Sequence, residues 1–211
     1  MDNSALAPIL QSVPVIPVLI IDDTDTAVPL ARALVAGGLK VLEITLRTEA
    51  ALEATRAIID QVEDAITGLG TVLDAGQMEQ AETIGAAFMV SPGGSPALLD
   101  AADDCSVPLL PGAATAGEAM TLMERGYGLQ KFFPAEQAGG AAYLKALSSP
   151  LAGIRFCPTG GISPQNAGDY LALPNVICVG GSWVAPADAV KAGDWARIED
   201  LARQAAKSGG R

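Results

Sequence analysis

Histidine does not occur anywhere in the 211 residues of this chain. It is the side chain that enzymes use most often as a general acid or base, and imidazole is a frequent zinc ligand. Its absence excludes Ser-His-Asp and Cys-His catalysis as well as a histidine-ligated metal site. Any proton transfer must therefore be carried out by carboxylates, lysine, tyrosine, cysteine or water.

Aromatic residues and long apolar runs are also scarce. Aromatic residues make up 4% of the chain, although 50% of its residues are hydrophobic. The core must therefore be built mainly from Ala, Val, Leu and Ile, which is typical of α/β proteins. No run approaches the roughly 18 apolar residues of a membrane span, and residues 1–4 lack the positive charge that opens a secretory signal. We therefore expect a cytoplasmic protein that has no membrane partner.

Cysteine and positive charge are limited as well. Cys105, Cys157 and Cys178 are an odd number without Cys-x-x-Cys spacing, and we interpret them as reduced core thiols. The 13 Lys and Arg residues are outnumbered by 24 Asp and Glu residues, which gives a net charge of −11. This charge argues against nucleic acid and anionic membranes as partners. An anionic substrate would need a local positive pocket.

Short apolar segments alternate with segments of helical period, which is the pattern of a βα protein. The predicted strands are residues 13–19, 41–46, 65–72, 87–91, 107–110, 129–133, 154–157 and 176–179. The predicted helices are residues 24–35, 49–61, 75–84, 96–103, 116–124, 141–147, 164–171 and 194–207. Eight such units fit a single α/β TIM barrel, (β/α)8, better than an open doubly wound sheet. We expect one domain over residues 1–211.

Lys131 stands inside the apolar segment 129–134, which is predicted to be a buried strand. Ammonium groups are almost never fully buried without a partner. Burial in general favours the neutral amine, which is the form that attacks a carbonyl carbon. The strand alone leaves two interpretations open. Lys131 is either such a nucleophile, or a structural lysine that extends to the strand end or joins a buried ion pair.

The second predicted strand carries polar residues on one face. Its period of two places Glu43, Thr45 and Arg47 together, opposite an apolar face. Strands of parallel barrels are ordinarily apolar on both faces. A carboxylate, a hydroxyl and a guanidinium group there indicate a catalytic or ligand-binding site. The alternative is a structural ion pair between Glu43 and Arg47 at the barrel rim.

Two glycine doublets follow the last two predicted strands. They are Gly160-Gly161 and Gly180-Gly181, the second followed by Ser182. In a barrel these are the usual phosphate-binding loops, because glycine lets the backbone N–H groups approach phosphate oxygens. The shorter loops at Gly70-Thr71, at 91–93 and at Pro111-Gly112 either line the mouth of the barrel or only turn the chain.

Six segments together resemble the 2-keto-3-deoxy-6-phosphogluconate (KDPG) and 4-hydroxy-2-oxoglutarate (KHG) aldolase family. This is a family of class I pyruvate aldolases, and the match covers nearly the whole chain. The segments are VLEITLRT (41–48), GTVL (70–73), SPG (91–93), KFFPAE (131–136), CPTGGI (157–162) and GGSW (180–183). One departure is Leu69, where the family often has alanine; the larger side chain narrows the mouth near Thr71.

The resemblance implies a homotrimer of TIM barrels that uses no metal and no cofactor. It also implies that Lys131 forms a Schiff base with the substrate and that Glu43 transfers protons. The matching positions assign substrate contacts to eight further residues: Arg47 and Thr71 near the pyruvate carboxylate, Pro92 and Thr159 beside the substrate, and Gly160, Gly161, Gly181 and Ser182 at the phosphate.

The implied reaction is cleavage of a phosphorylated keto acid, KDPG, to pyruvate and glyceraldehyde 3-phosphate. Cleavage of 4-hydroxy-2-oxoglutarate to pyruvate and glyoxylate is a second expected activity. The alternative substrate is the galactonate-derived epimer, although Ser182 and Trp183 resemble the gluconate-type enzymes. Two other classes stay open from the residues alone, a phosphosugar isomerase or epimerase and a non-catalytic phosphosugar-binding module.

Overall fold

Parallel strands alternate with helices through residues 3–209, the part of the chain that the computed structural model describes. The strands are β1 (Val15–Leu19), β2 (Val41–Thr45), β3 (Ile66–Gly70), β4 (Met89–Val90), β5 (Leu109–Leu110), β6 (Gly112–Ala113), β7 (Leu129–Phe132), β8 (Arg155–Pro158) and β9 (Val179–Gly181). The helices are α1 (Ala7–Gln11), α2 (Thr24–Ala36), α3 (Ala51–Gln61), α4 (Ala75–Thr83), α5 (Pro96–Asp103), α6 (Ala116–Glu124), α7 (Gly140–Leu147), α8 (Ala167–Leu171), α9 (Ala187–Ala192) and α10 (Trp195–Ala206). Short 3-10 turns lie at Ser4–Leu6 and Lys207–Gly209.

The strands form two parallel sheets rather than one continuous sheet. The larger sheet has the order β5-β4-β3-β2-β1-β9, and the smaller has the order β6-β7-β8. Pro111 separates β5 from β6, and it has no N–H group with which to continue the ladder. Isolated bridges from Phe156 to Val176 and from Thr159 to Gly180 join β8 to the region of β9. The chain is therefore an α/β protein with a curled parallel sheet.

The last strand lies later in the chain than the sequence pattern predicts. The sequence pattern predicts a strand at 176–179 and a loop at Gly180-Gly181. In the structure, β9 contains both glycines. Gly180 and Gly181 pair with Ile16 and Pro17 of β1. A Cβ on Gly180 would lie 2.4 Å from the hydroxyl oxygen of Thr159, so the strand at this point has room only for glycine. The expected loop at Pro111-Gly112 is likewise corrected, because Gly112 begins β6.

The predicted helices are present with their ends shifted by a few residues, and α1 and α9 were not predicted. Several helices begin at a side-chain cap, for example α6, where Thr115 and Glu118 form a capping box. Between residues 3 and 209 no helix is both long enough and apolar enough to span a bilayer. Residues 1, 2, 210 and 211 lie outside the described part, so the expectations about residues 1–4 and about the domain limits stay predictions.

Asn3 joins two strands that belong to different sheets. Its side chain is buried, and its amide nitrogen donates to the carbonyl oxygens of Leu109 in β5, at 3.1 Å, and of Leu129 in β7, at 2.8 Å. Its amide oxygen accepts from the N–H group of Leu129 at 3.2 Å. Because buried backbone groups must be paired, this side chain substitutes for ladder bonds where the sheet is interrupted.

Replacing Asn3 with alanine is expected to lower the free energy of unfolding by about 2–3 kcal/mol, because three buried backbone groups lose their partner. Asn3→Asp should not recover this loss, since a carboxylate can accept from Leu129 but would place an unpaired charge against the two carbonyl oxygens. Urea unfolding measures both changes. Gln80→Ala, at an exposed position in α4, is the control and should change the value by less than about 0.5 kcal/mol. An Asn3→Ala value as small as the control would contradict the bridging role.

Candidate active site

The centre of the site is a buried ion pair between Lys131 on β7 and Glu43 on β2. The amine nitrogen Nζ of Lys131 lies 3.3 Å from the carboxylate oxygen Oε1 of Glu43. The side chains are 3% and 4% exposed. The two strands belong to different sheets, so the pair spans the interior of the curled structure. The ring of Phe133 lies beside the amine, with its centroid 5.2 Å from Nζ.

This geometry excludes one of the interpretations of Lys131 that the strand left open, a lysine that extends to the strand end, and shows that Lys131 belongs to a buried ion pair. A lysine that extended to solvent would be exposed, but Lys131 is 2% exposed as a residue. Removing two charges from water is costly unless they pair closely. Transfer of a proton from the amine to the carboxylate would leave two neutral groups in the interior. Lys131 can therefore become a neutral amine without leaving an uncompensated charge in the interior.

Glu43 does not pair with Arg47, so the alternative of a structural pair at the rim is wrong. Arg47 lies two residues beyond the end of β2 and is exposed, and its Nε donates to the hydroxyl of Thr71 at 3.1 Å. Thr71 has a φ of 60°, in the left-handed region that non-glycine residues rarely adopt. Thr45 is buried and donates to the carbonyl oxygen of Leu19 at 2.9 Å. Of the three polar residues on this face, Glu43 is the one that forms an ion pair with Lys131.

Gly70 makes the space that the carboxylate of Glu43 occupies. It ends β3, the neighbour of β2, and a Cβ at this position would lie 2.3 Å from Oε1 of Glu43 and 2.6 Å from its Cγ. Real contacts of a Cβ are essentially never that short. The absence of a side chain at position 70 therefore fixes where the acid of the pair can lie.

The loops that follow β8 and β9 lie side by side. The bridge between Thr159 and Gly180 brings them together. Gly160 and Gly161 have φ values of 97° and 78°, which glycine adopts without strain. A Cβ on Gly181 would lie 1.8 Å from the ring of Trp183. Ser182 lies directly after β9 and is exposed.

Pro92 follows β4 and lines a cavity of about 590 Å³ together with Gly112, Ala113 and Phe133. Phe133 also lies beside the amine of Lys131. Two contacts join predicted site residues directly, Lys131 with Glu43 and Arg47 with Thr71. Thr159 bridges to Gly180, the neighbour of the predicted Gly181, and Pro92 lines the same cavity as Phe133.

Two features of the site were not predicted as such. Phe133 belongs to the segment KFFPAE, and nothing in the sequence indicates that its ring lies beside the amine. Cys157 is the register partner of Lys131, and the Sγ atoms of Cys157 and Cys178 are 3.6 Å apart. The hydrogen bond to Cys157 and burial raise the pKa of the Cys178 thiol well above its usual range. All three cysteines are free, as expected.

A model of the family described as "KDPG and KHG aldolase" matches residues 6–201. The 2-dehydro-3-deoxy-phosphogluconate aldolase of Pseudoalteromonas atlantica is 55% identical over 192 residues, which are 91% of this chain and 89% of that protein.

Solved structures agree with this match. A crystal structure of KDPG aldolase from Legionella pneumophila, with pyruvate captured at low pH as a covalent carbinolamine intermediate, is 44% identical and has a TM-score of 0.92; it covers 95% of this chain and 97% of its own. The structure of the corresponding aldolase of Zymomonas mobilis with 3-phosphoglycerate is 46% identical, with a TM-score of 0.92 and coverage of 97% and 96%.

These matches define an aldolase with an α/β fold. The chain belongs to the KDPG and KHG aldolase family. The resemblance drawn from the six sequence segments is confirmed.

Gly70→Ala is expected to lower kcat/KM for cleavage of the keto acid by about 100-fold, because a shift of about 1 Å in a catalytic group has an effect of that size. The added methyl group must displace the carboxylate of Glu43. Steady-state kinetics with KDPG measures the change. Gly168→Ala is the matched control, because a Cβ there meets nothing within 4 Å. Equal activity of the two variants would show that the position of the carboxylate is unimportant.

Proposed function

We propose that this chain is a class I aldolase that cleaves KDPG to pyruvate and glyceraldehyde 3-phosphate through a Schiff base on Lys131. The observation that carries the proposal is the buried amine of Lys131, 3.3 Å from the carboxylate of Glu43. An isomerase or a binding module on the same fold has no use for a buried lysine paired in this way. The names of the relatives support the same reaction.

The first stage is formation of the imine. With the shared proton on Glu43, the neutral amine of Lys131 attacks the C2 ketone and forms a carbinolamine. Glu43 protonates the departing hydroxyl group, water leaves, and a protonated imine remains. The Legionella relative holds pyruvate as a carbinolamine, which is the corresponding intermediate for the product. The ring of Phe133 beside Nζ helps to accommodate the cation that forms there.

The second stage is cleavage of the carbon-carbon bond. Glu43, now a carboxylate, accepts the proton of the C4 hydroxyl group, and C4 becomes the aldehyde carbon of glyceraldehyde 3-phosphate. The electron pair of the C3–C4 bond moves into the imine, which gives an enamine on Lys131. Protonation of the enamine at C3 and addition of water at C2 release pyruvate and restore the amine.

The two anionic ends of the substrate take different partners. We assign the carboxylate to Arg47, whose planar guanidinium group can orient it, and to Thr71, which Arg47 already contacts. We assign the phosphate to the loops of Gly160, Gly161, Gly181 and Ser182, which the bridge at Thr159 brings together. Pro92 and Thr159 lie beside the substrate between these ends in this proposal. The Zymomonas relative with 3-phosphoglycerate supports a phosphorylated ligand.

The gluconate-derived substrate is favoured over its galactonate epimer by the relatives. The relative that is 55% identical carries the phosphogluconate name. The family description includes KHG, so cleavage of 4-hydroxy-2-oxoglutarate is proposed as a second activity. That substrate has no phosphate group and leaves the glycine loops without a ligand.

We also propose that residues 1–211 form a single domain, in which the two sheets close into one (β/α)8 barrel. In support, β5 and β6 flank a single residue, Pro111, and pair with opposite sheets. The other gap between the two sheets lies between β8 and β9, and the bridges from Phe156 to Val176 and from Thr159 to Gly180 span it. The cytoplasmic location stays a prediction.

The proposed assembly is a homotrimer. Large apolar side chains follow three neighbouring strands at their carboxyl ends: Ile20 after β1, Leu46 after β2 and Leu73 after β3. Ile20 and Leu73 are 54% and 55% exposed, and Leu46 is partly buried. Exposed apolar rows of this kind are typical of contacts between protein chains. We therefore assign this row, Ile20-Leu46-Leu73, to the contact between copies.

Reduction with borohydride in the presence of pyruvate is expected to attach pyruvate to Lys131, because the imine becomes a stable secondary amine. Peptide mapping by mass spectrometry locates the adduct. Lys131→Met should give no adduct and no cleavage of KDPG. Glu43→Gln should still form the adduct on Lys131, because the amine remains. Its cleavage of KDPG should be slowed by about 10²- to 10⁴-fold, because proton transfer is lost. An adduct on any lysine other than Lys131 would rule the mechanism out.

The double variant Ile20→Lys, Leu73→Lys is expected to be a monomer, because two charges would be buried at the contact. Light scattering after gel filtration should give three times the 21.4 kDa chain mass for the unmodified protein and one times that mass for the variant. Met120→Lys is the matched control, since Met120 is 46% exposed on α6 and lies outside the row. Dissociation of the control, with an intact double variant, would place the contact on α6 instead.

A further inference from the structure

Glu136 lies against the glycine loop that follows β8. It belongs to the segment after β7, and its backbone N–H donates to the carbonyl oxygen of Gly160 at 3.1 Å. The N–H of Ala135 donates to Thr159 in the same way, at 2.8 Å. The side chain of Glu136 covers Gly161, where a Cβ would lie 2.5 Å from Cγ of Glu136. The loop after β7 is thus fastened to the loop after β8.

Tyr170 holds the carboxylate of Glu136 from the other side. Tyr170 is on α8 and is 1% exposed, and its hydroxyl donates to Oε1 of Glu136. Burial and the neighbouring carboxylate raise the pKa of Tyr170, so its hydroxyl stays a donor. Gly140 lies beside this contact, since a Cβ there would be at an ordinary packing distance of 3.5 Å from both oxygens. A buried hydroxyl therefore fixes a carboxylate whose residue is otherwise exposed.

The far side of the same loop is fixed separately. Asn166 donates from Nδ2 to the carbonyl oxygen of Gly161 at 3.0 Å and accepts from the N–H of Ser163 at 2.8 Å. Gly161 is therefore held by Asn166 at its carbonyl group and by Glu136 over its Cα. The orientation of the Gly160 and Gly161 peptide planes depends on both contacts.

The direction of the Glu136 side chain affects phosphate binding, because the side chain carries a negative charge. A carboxylate next to a loop that binds a dianionic phosphate would repel the ligand if it turned towards it. The hydrogen bond from Tyr170 holds one carboxylate oxygen on the α8 side. The same bond that orients the loop therefore also directs the negative charge of Glu136.

We propose that Glu136 and Tyr170 are a positioning pair that sets affinity for the phosphate end of the substrate by fixing the Gly160-Gly161 loop. This rests on the proposed function, since the loop must bind phosphate. The pair does not contact the reacting atoms. Its loss is expected to weaken phosphate recognition while imine chemistry at Lys131 continues.

Tyr170→Phe, which removes one oxygen and keeps the ring, is expected to raise KM for KDPG about tenfold, a change of about 1.4 kcal/mol. Its kcat should change less than threefold, and trapping of pyruvate by borohydride, which involves no phosphate, should be unchanged. Glu136→Ala should have the same effect, and the double variant should be no worse than either single variant, because both remove one interaction. Glu136→Gln should keep KM near the original value, since an amide oxygen accepts from Tyr170.

Tyr143→Phe is the matched control. The Tyr143 hydroxyl accepts from the N–H of Ala116 at 3.0 Å and not from the loop at 160–161, so KM for KDPG should not change. Thermal unfolding shows whether each variant folds, and Glu136→Ala, at an exposed position, carries the test if Tyr170→Phe does not fold.

The outcomes separate this proposal from the proposed function. An unaltered KM in the Glu136→Ala and Tyr170→Phe variants, or an equal loss of KDPG cleavage and pyruvate trapping, would overturn the positioning pair alone. Failure of the unmodified protein to cleave KDPG would overturn the proposed function and the pair with it. A raised KM with normal trapping, restored by Glu136→Gln, supports the pair.

Discussion

The contact between the amine of Lys131 and the carboxylate of Glu43 is the constraint around which the interior is arranged. Two charged groups lie 3.3 Å apart where the side chains are almost fully buried, and removing either partner would leave a charge without compensation. Gly70 leaves room for the carboxylate, and Phe133 covers the amine. The two strands that carry the pair belong to separate sheets, so the curled arrangement of the sheets is itself required for the contact.

According to the proposed function, an acidic protein binds a substrate with two anionic groups, a carboxylate and a phosphate, and uses few positive side chains to do so. The net charge is −11, so binding of the two anionic groups depends on Arg47 and on the backbone N–H groups of the glycine loops. Glycines at 161, 180 and 181 are needed because neighbouring side chains occupy the space of their Cβ atoms. Close packing therefore shapes the phosphate end as much as charge does, and the pair of Glu136 and Tyr170 belongs to that packing.

The sequence predicted most helices and the two central residues, because a period of 3.6 and a charge inside an apolar strand are local signals. It could not predict that Lys131 and Glu43, 88 residues apart, form a pair, since only the fold brings them together. β9 was placed too early because Gly180-Gly181 has the composition of a loop, and its pairing with β1 is a tertiary effect. The contact of Tyr170 with Glu136 left no pattern in the sequence for the same reason.

The most direct test of the central claim is a crystal structure of the protein soaked with pyruvate. The account predicts continuous electron density from Nζ of Lys131 to C2 of pyruvate, with an oxygen of Glu43 within hydrogen-bonding distance of the new bond. Density that joins pyruvate to a different side chain, or pyruvate bound without a covalent bond while Lys131 and Glu43 stay paired, would contradict it.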